Sequence, residues 1–127
     1  MTKYIAVDPG KFSTKAVKLR QDGTDKRLLF RSKLEETIKN EAQGKSYIVT
    51  YCGKKYIIGE QAEVNSAKSS KAEELHRICT YTALHQLGNS GEELVVAIGC
   101  PLATFENPES RDAYKRFMFP DKQIDIK

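Results

Sequence analysis

The chain has 127 residues, 39% of them hydrophobic and 30% charged, with a formal net charge of +4. That length suits one domain with a single modest core, and that composition excludes a disordered chain. Lys and Arg are scattered from Lys3 to Lys127 without a dense run, so they read as solvated surface, and direct nucleic-acid binding is not expected.

Tyr4 to Val7 is an apolar strand that ends on a carboxylate, Asp8; Pro9-Gly10 turns the chain, and Ala16 to Leu19 resumes as a second strand. Proline fixes its own φ, and glycine is expected here to supply a φ > 0. A loop of this kind aims backbone N–H groups into a concavity that suits an anion. Asp8 adds a hard oxygen suited to Mg²⁺ and Lys15 a cation suited to phosphate. The bland alternative is a hairpin with a charged tip.

Gln21-Asp22-Gly23-Thr24 predicts a tight turn, and Lys26 to Ser32 a third antiparallel strand. Residues 33–45 are polar and read as a loop with at most one helical turn. Ser46 to Tyr51 and Lys55 to Ile58, joined by Cys52-Gly53-Lys54, alternate as a half-buried hairpin closed by Gly59-Glu60-Gln61-Ala62. Val64 to Ser70 leads into a helix opened by the capping box Ser70-x-x-Glu73 and stopped at Gly88. Leu75, Ile78, Cys79, Thr82 and Ala83 form its apolar face, widened by Tyr81 and Leu84, with His76 and His85 as polar edge residues. Leu94 to Ile98 is uniformly apolar, as expected of a strand buried on both faces, and Cys100-Pro101-Leu102 ends it. Asn107-Pro108-Glu109 starts a second helix with Ala113, Tyr114, Phe117 and Met118 on its apolar side. Pro120 stops it, and Gln123 to Ile126 opens another strand.

Cys52, Cys79 and Cys100 are widely spaced, odd in number and lack a C-x-x-C pairing. That argues against a disulfide framework or zinc site and for a reducing cytoplasm. His76 and His85 are nine residues apart, the wrong spacing for a shared metal. No apolar run approaches the roughly 20 residues of a membrane span, and no leader pattern is present. A cytoplasmic location without membrane contact is expected.

The order is β-β-β, hairpin, α, β, α, β. With Asp-x-Gly-x-x-x-x-Lys at residues 8–15, it resembles one half of an actin-like ATPase, an α/β fold of the ribonuclease-H-like type. The chain is most similar to the N-terminal domain of bacterial and archaeal actin-like proteins of the plasmid-segregation (ParM/StbA) group. Ile5-Ala-Val-Asp-Pro-Gly with Thr14-Lys15-Ala-Val, Tyr56-Ile-Ile-Gly-Glu-Gln-Ala62, and Val95-Val-Ala-Ile-Gly-Cys-Pro-Leu102 carry the likeness. The resemblance implies a mixed sheet of about five strands with helices packed on it. It also implies one domain over 1–127, with an inserted hairpin region at about 33–70.

The resemblance further implies an ATP-dependent filament protein whose partners are copies of itself and a DNA-bound adaptor. ATP with Mg²⁺ would lie between two domains, with Asp8 holding the metal through water. Gly10, Lys11, Phe12, Ser13, Thr14 and Lys15 would hold the phosphates. Many relatives have a small hydroxyl residue or glycine where this chain has Lys11, so a hydroxyl contact would fall to Ser13 or Thr14. The second domain's Asp-x-Gly-Gly loop has no counterpart in the sequence. The chain is therefore expected to supply half a site, to be inactive alone, and to contain no catalytic residue, the water-orienting group lying beyond Lys127. The alternatives are a non-catalytic assembly adaptor and a kinase-type phosphotransferase of the same superfamily.

Overall fold

The computed structural model describes residues 3–10, 12–19, 25–62, 74–88, 91, 93–99, 102–121, 123, 124 and 126. The predicted Asp22-Gly23 turn, the Ser70/Glu73 capping box and its lead-in, and Cys100-Pro101 lie outside them. Period-2 alternation sets the first strands. Along Lys3–Pro9 (β1), Ile5 and Val7 turn inward while Tyr4, Ala6 and Asp8 turn out; along Ser13–Leu19 (β2), Thr14 and Ala16 turn inward while Lys15 turns out. With Asp25–Arg31 (β3) they form an antiparallel meander, and Leu94–Ile98 (β7) adds parallel to β1, giving the order β3-β2-β1-β7.

The sheet is mixed, as expected, but it has four strands rather than about five. The remaining strands build a separate three-stranded sheet of order β4-β6-β5, from Leu34–Glu36 (β4), Ser46–Tyr51 (β5) and Lys54–Gly59 (β6). β4 occupies part of what the sequence assigned to loop. Its carboxylates are tolerated because it is a short edge strand, paired on one side with β6. β5 and β6 meet through the two-residue turn Cys52-Gly53, both at positive φ (51° and 78°), the mirror-image geometry that matches strand twist.

The helix Glu74–Leu87 (α1) packs on β1 and β2, burying Leu75, Ile78, Cys79, Ala83 and Leu84 against Ile5, Val7, Ala16 and Phe30. Each buried Leu, Ile, Val or Phe among them contributes roughly 1.5–3 kcal/mol when removed from water. Its other side is covered too: Tyr81 meets Tyr51 of β5 at 5.3 Å and Phe119 at 5.7 Å between ring centres, and its hydroxyl donates to the Met118 carbonyl. Thr80 and Thr82 satisfy their buried hydroxyls on the His76 and Ile78 carbonyls, both at 2.8 Å. His76 is therefore no edge residue. It is buried with the rest of the helix, whereas His85 is exposed.

β7 departs furthest from expectation. It is the end strand of the described sheet. Leu94, Val96 and Ile98 are half-buried on the α1 side, while Val95 and Ala97 are exposed on the other. Burial on both faces needs a second covering layer, and among the described residues only one face has it. Beyond β7, Leu102–Glu106 (α2) is a short helix the sequence reading missed. Pro108–Met118 (α3) follows as predicted, its cap formed by the Asn107 side chain accepting from the Ser110 N–H at 3.1 Å. Tyr114 and Met118 are buried, but Ala113 is exposed. Of the strand predicted at Gln123 to Ile126, the described residues show an isolated antiparallel bridge between Ile126 and Tyr51.

Candidate functional site

The β1–β2 register places Asp8 opposite Lys15 and Pro9 opposite Thr14. β2 thus begins at Ser13 rather than Ala16, because Ser13 and Thr14 already pair with Arg31 and Phe30 of β3. The loop shrinks to residues 10–12. Gly10 lacks a positive φ; it is needed for close approach, since a Cβ there would stand 2.6 Å from the Ser13 carbonyl oxygen. Its N–H donates inward, to the Asp8 and Ser13 carbonyls at 3.0 Å each. That amide is engaged within the loop and does not face an outside anion.

Asp8 and Lys15 are exposed on the sheet face opposite α1. Directly opposed residues on adjacent strands hold their Cβ atoms about 4.5–5.5 Å apart, so one carboxylate and one ammonium share a small area. Phe12 is 66% exposed at the loop tip, and Ser13 is half-buried. Thr14 is the exception among the predicted contacts. Its side chain points to the core, fully buried, with its hydroxyl 2.9 Å from that of Ser32. Alternation along β2 requires this: if Lys15 faces out, Thr14 faces in. Thr14 cannot present its hydroxyl to a ligand on the open face. Lys11 lies outside the described residues.

Asp8 and Lys15 line an open depression of about 660 Å³, with Ala6, Val17, Leu29 and Ala97 across its floor. Gly99, at the end of β7, borders the Asp8 carboxylate; a Cβ on Gly99 would lie 2.8 Å from Oδ1. Gly99 stood within one of the motifs above, but its role was not visible, because only the parallel pairing of β1 with β7 brings it to Asp8. Ser32 and Arg31, which reach the loop from β3, carried no sequence signal at all.

Cys79 lies in the core, on the face of α1 packed against β1 and β2. Burial pushes its thiol up to about 12, outweighing the opposing effect of a hydrogen bond from Thr14, so it is no nucleophile at neutral pH. Among the described residues no group of three His, Cys, Asp or Glu could hold a metal ion. One carboxylate such as Asp8 could meet a hydrated metal ion through its water shell, but it does not make a protein-built cage.

Comparison with solved structures finds the same fold elsewhere. The chain is 26% identical to Alp12 in its filament structure (TM-score 0.66), covering 92% of this chain and 38% of that one. It is 26% identical to Ta0583, an archaeal actin homologue (TM-score 0.69), covering 90% and 37%. The filament structure of AlfA from B. subtilis plasmid pLS32 aligns at 20% identity (TM-score 0.67), covering 98% and 49%. The chain thus spans between about a third and a half of the length of these proteins. No curated protein sequence matches it significantly. Residues 6–126 match the family described as actin-like proteins, N-terminal domain. With nearly its whole length inside that match, and with a half-actin sheet carrying α1 on one face, the chain belongs to the N-terminal domain family of the actin-like proteins.

Proposed function

We propose that the chain is the nucleotide-binding N-terminal half of an ATP-dependent, filament-forming actin-like protein that moves plasmid or other DNA copies apart in the cytoplasm. The observation that carries this reading is the facing pair Asp8 and Lys15 beside a three-residue loop on an open sheet face. Two of the structural relatives above are filaments, which supports self-association through copies of the same chain. A DNA-bound adaptor is the further partner of this reading. No helix among the described residues is long and apolar enough to cross a membrane.

The residues present suit a metal-bound polyphosphate. Lys15 supplies a compact cation for phosphate oxygens, and Asp8 accepts hydrogen bonds from the water shell of Mg²⁺. The missing Cβ at Gly99 leaves the carboxylate its room. Phe12 and Ser13, at the loop tip, supply main-chain contacts; Gly10 and Thr14 contribute by shaping the loop from within. Bound nucleotide would bring the charge and the energy difference that switch assembly, while the protein's part is positioning and charge stabilisation.

Sedimentation of the intact protein with ATP, ADP or GTP, each with Mg²⁺, tests the reading. Pelleting that depends on the triphosphate is expected. Pelleting indifferent to nucleotide, together with no measurable Mg-ATP binding, would replace this reading with that of a non-catalytic assembly adaptor.

A further inference from the structure

The end of β3 makes contacts that reach the loop rather than the core. The Ser32 main-chain N–H donates to the Phe12 carbonyl at 2.8 Å, and the Arg31 Nε–H donates to the same oxygen at 3.2 Å. The Ser32 hydroxyl sits in the buried pair with Thr14. Two donors on one carbonyl fix the plane of the peptide between Phe12 and Ser13, and the Ser13 N–H, trans to that carbonyl, is fixed with it. A two-stranded hairpin of β1 and β2 would leave this peptide ungripped.

We infer that Arg31 and Ser32 are positioning residues for the loop, holding the Phe12–Ser13 peptide ready for a bound polyphosphate, with Thr14 as the post to which Ser32 is tied. The inference rests on the nucleotide-binding reading above. Donors already in place need no rearrangement when an anion arrives, whereas a loose loop must be ordered at that moment. The post is itself held on both sides in the sheet, through its strand pairing with Pro9 of β1 and Phe30 of β3, with its side chain fully buried.

The test is calorimetric titration of the intact protein with Mg-ATP, well below its melting temperature, with a thermal melt for every variant. Arg31→Ala, Ser32→Ala and Thr14→Val are each expected to weaken binding about threefold to tenfold, the worth of one net hydrogen bond. Thr14→Ser keeps the hydroxyl and is expected to hold its affinity within about twofold of wild type, whatever it loses in melting temperature. Lower melting temperatures in Ser32→Ala and Thr14→Val with wild-type affinity throughout would overturn the inference and leave the nucleotide reading standing. If Ser32→Ala does not fold, Arg31→Ala, whose side chain is on the surface, decides alone. Absence of Mg-ATP binding by the wild type would end both.

Discussion

One hydrogen atom separates Gly99 from the Asp8 carboxylate: a Cβ at residue 99 would stand 2.8 Å from Oδ1 and 3.3 Å from Cγ. The Gly99 backbone cannot retreat, because its N–H donates to the Val7 carbonyl at 3.0 Å and its own carbonyl accepts from the Tyr114 hydroxyl at 3.1 Å. The carboxylate, at the end of a side chain, must give way instead. Gly99→Ala is therefore expected to fold, to lose no more than about 1–2 kcal/mol of stability, and to weaken Mg-ATP binding about tenfold. Calorimetry beside a urea melt checks both halves. Unchanged affinity would mean that the position of the Asp8 carboxylate is irrelevant to binding.

Asp8→Ala and Lys15→Ala address the site directly. Both side chains are exposed at a strand end, so each substitution should change stability by no more than about 1 kcal/mol. A charge-assisted contact to phosphate is worth roughly 1.5–3 kcal/mol, so the loss in Mg-ATP affinity should be about tenfold to a hundredfold. A hairpin tip with stray charges would bind as the wild type does in both variants.

The cysteines should separate cleanly in a Cys100→Ser background, which leaves two thiols. Cys52 is exposed in the β5–β6 turn and should react with a thiol reagent at once; Cys79 is fully buried and should react only on unfolding. Cys52→Ser removes the fast phase. A fast phase that survives in Cys52→Ser would show that α1 opens readily from the sheet.

Alkaline pH should loosen the fold from the same region. The Cys79 thiol is raised from 9.0 to about 12, so its contribution is fully present below pH 9 and is lost as pH climbs from about 9 through about 12. Tyr47, Tyr51, Tyr56 and Tyr81 are also raised, chiefly by desolvation, and act in the same direction. Melting temperature should fall over that window, and fall less steeply in Cys79→Ala. Parallel curves for the two proteins would assign the alkaline limb to the tyrosines alone.

Core energetics allow one more measurement. Ile78 is fully buried between the sheet and α1's neighbours, so Ile78→Ala should cost about 2–5 kcal/mol in urea denaturation. Tyr81→Phe keeps the ring contacts with Tyr51 and Phe119 but removes the hydroxyl that donates to Met118, at a cost of about 1 kcal/mol. A Tyr81→Phe loss comparable to that of Ile78→Ala would place the joint between α1 and α3 at the centre of the fold's stability.

Legibility in the sequence followed locality. β5 was readable to the residue because Tyr47, Val49 and Tyr51 alternate, and α3 because Asn107-Pro108 is a cap and a first helical turn. The face of α1 was readable from helical spacing, but its burial all round was not. That depends on Tyr51 and Phe119 arriving from elsewhere to cover Tyr81, and nothing local marks His76 as buried. Asp8 and Lys15 were legible as a pair because strand pairing across a short loop is a local matter. Thr14 was misjudged because the start of β2 was placed three residues late, which hid the alternation that turns its side chain inward. Gly99 was illegible for a different reason: it meets Asp8 only through the pairing of β1 with β7, a strand distant in sequence, and Ser32 meets the loop only once the register of β2 with β3 is set.

β3 and β4 lie in different sheets, yet only Ser32 and Lys33 separate them. The crossing is tight. The Lys33 N–H donates to the Arg31 carbonyl at 2.9 Å, and the Lys33 carbonyl accepts from the Gly59 N–H of β6 at 3.0 Å. One of the small sheet's two chain connections is thus also the grip on Phe12. A shift of residues 34–59 would reach the loop tip by its shortest covalent route through Ser32 and Lys33, beside the ring contacts of Tyr47 with Phe30 and of Tyr51 with Tyr81 that tie the small sheet to the rest of the fold. In mechanical terms the small sheet is a handle, and the residue pair Ser32-Lys33 is its pivot.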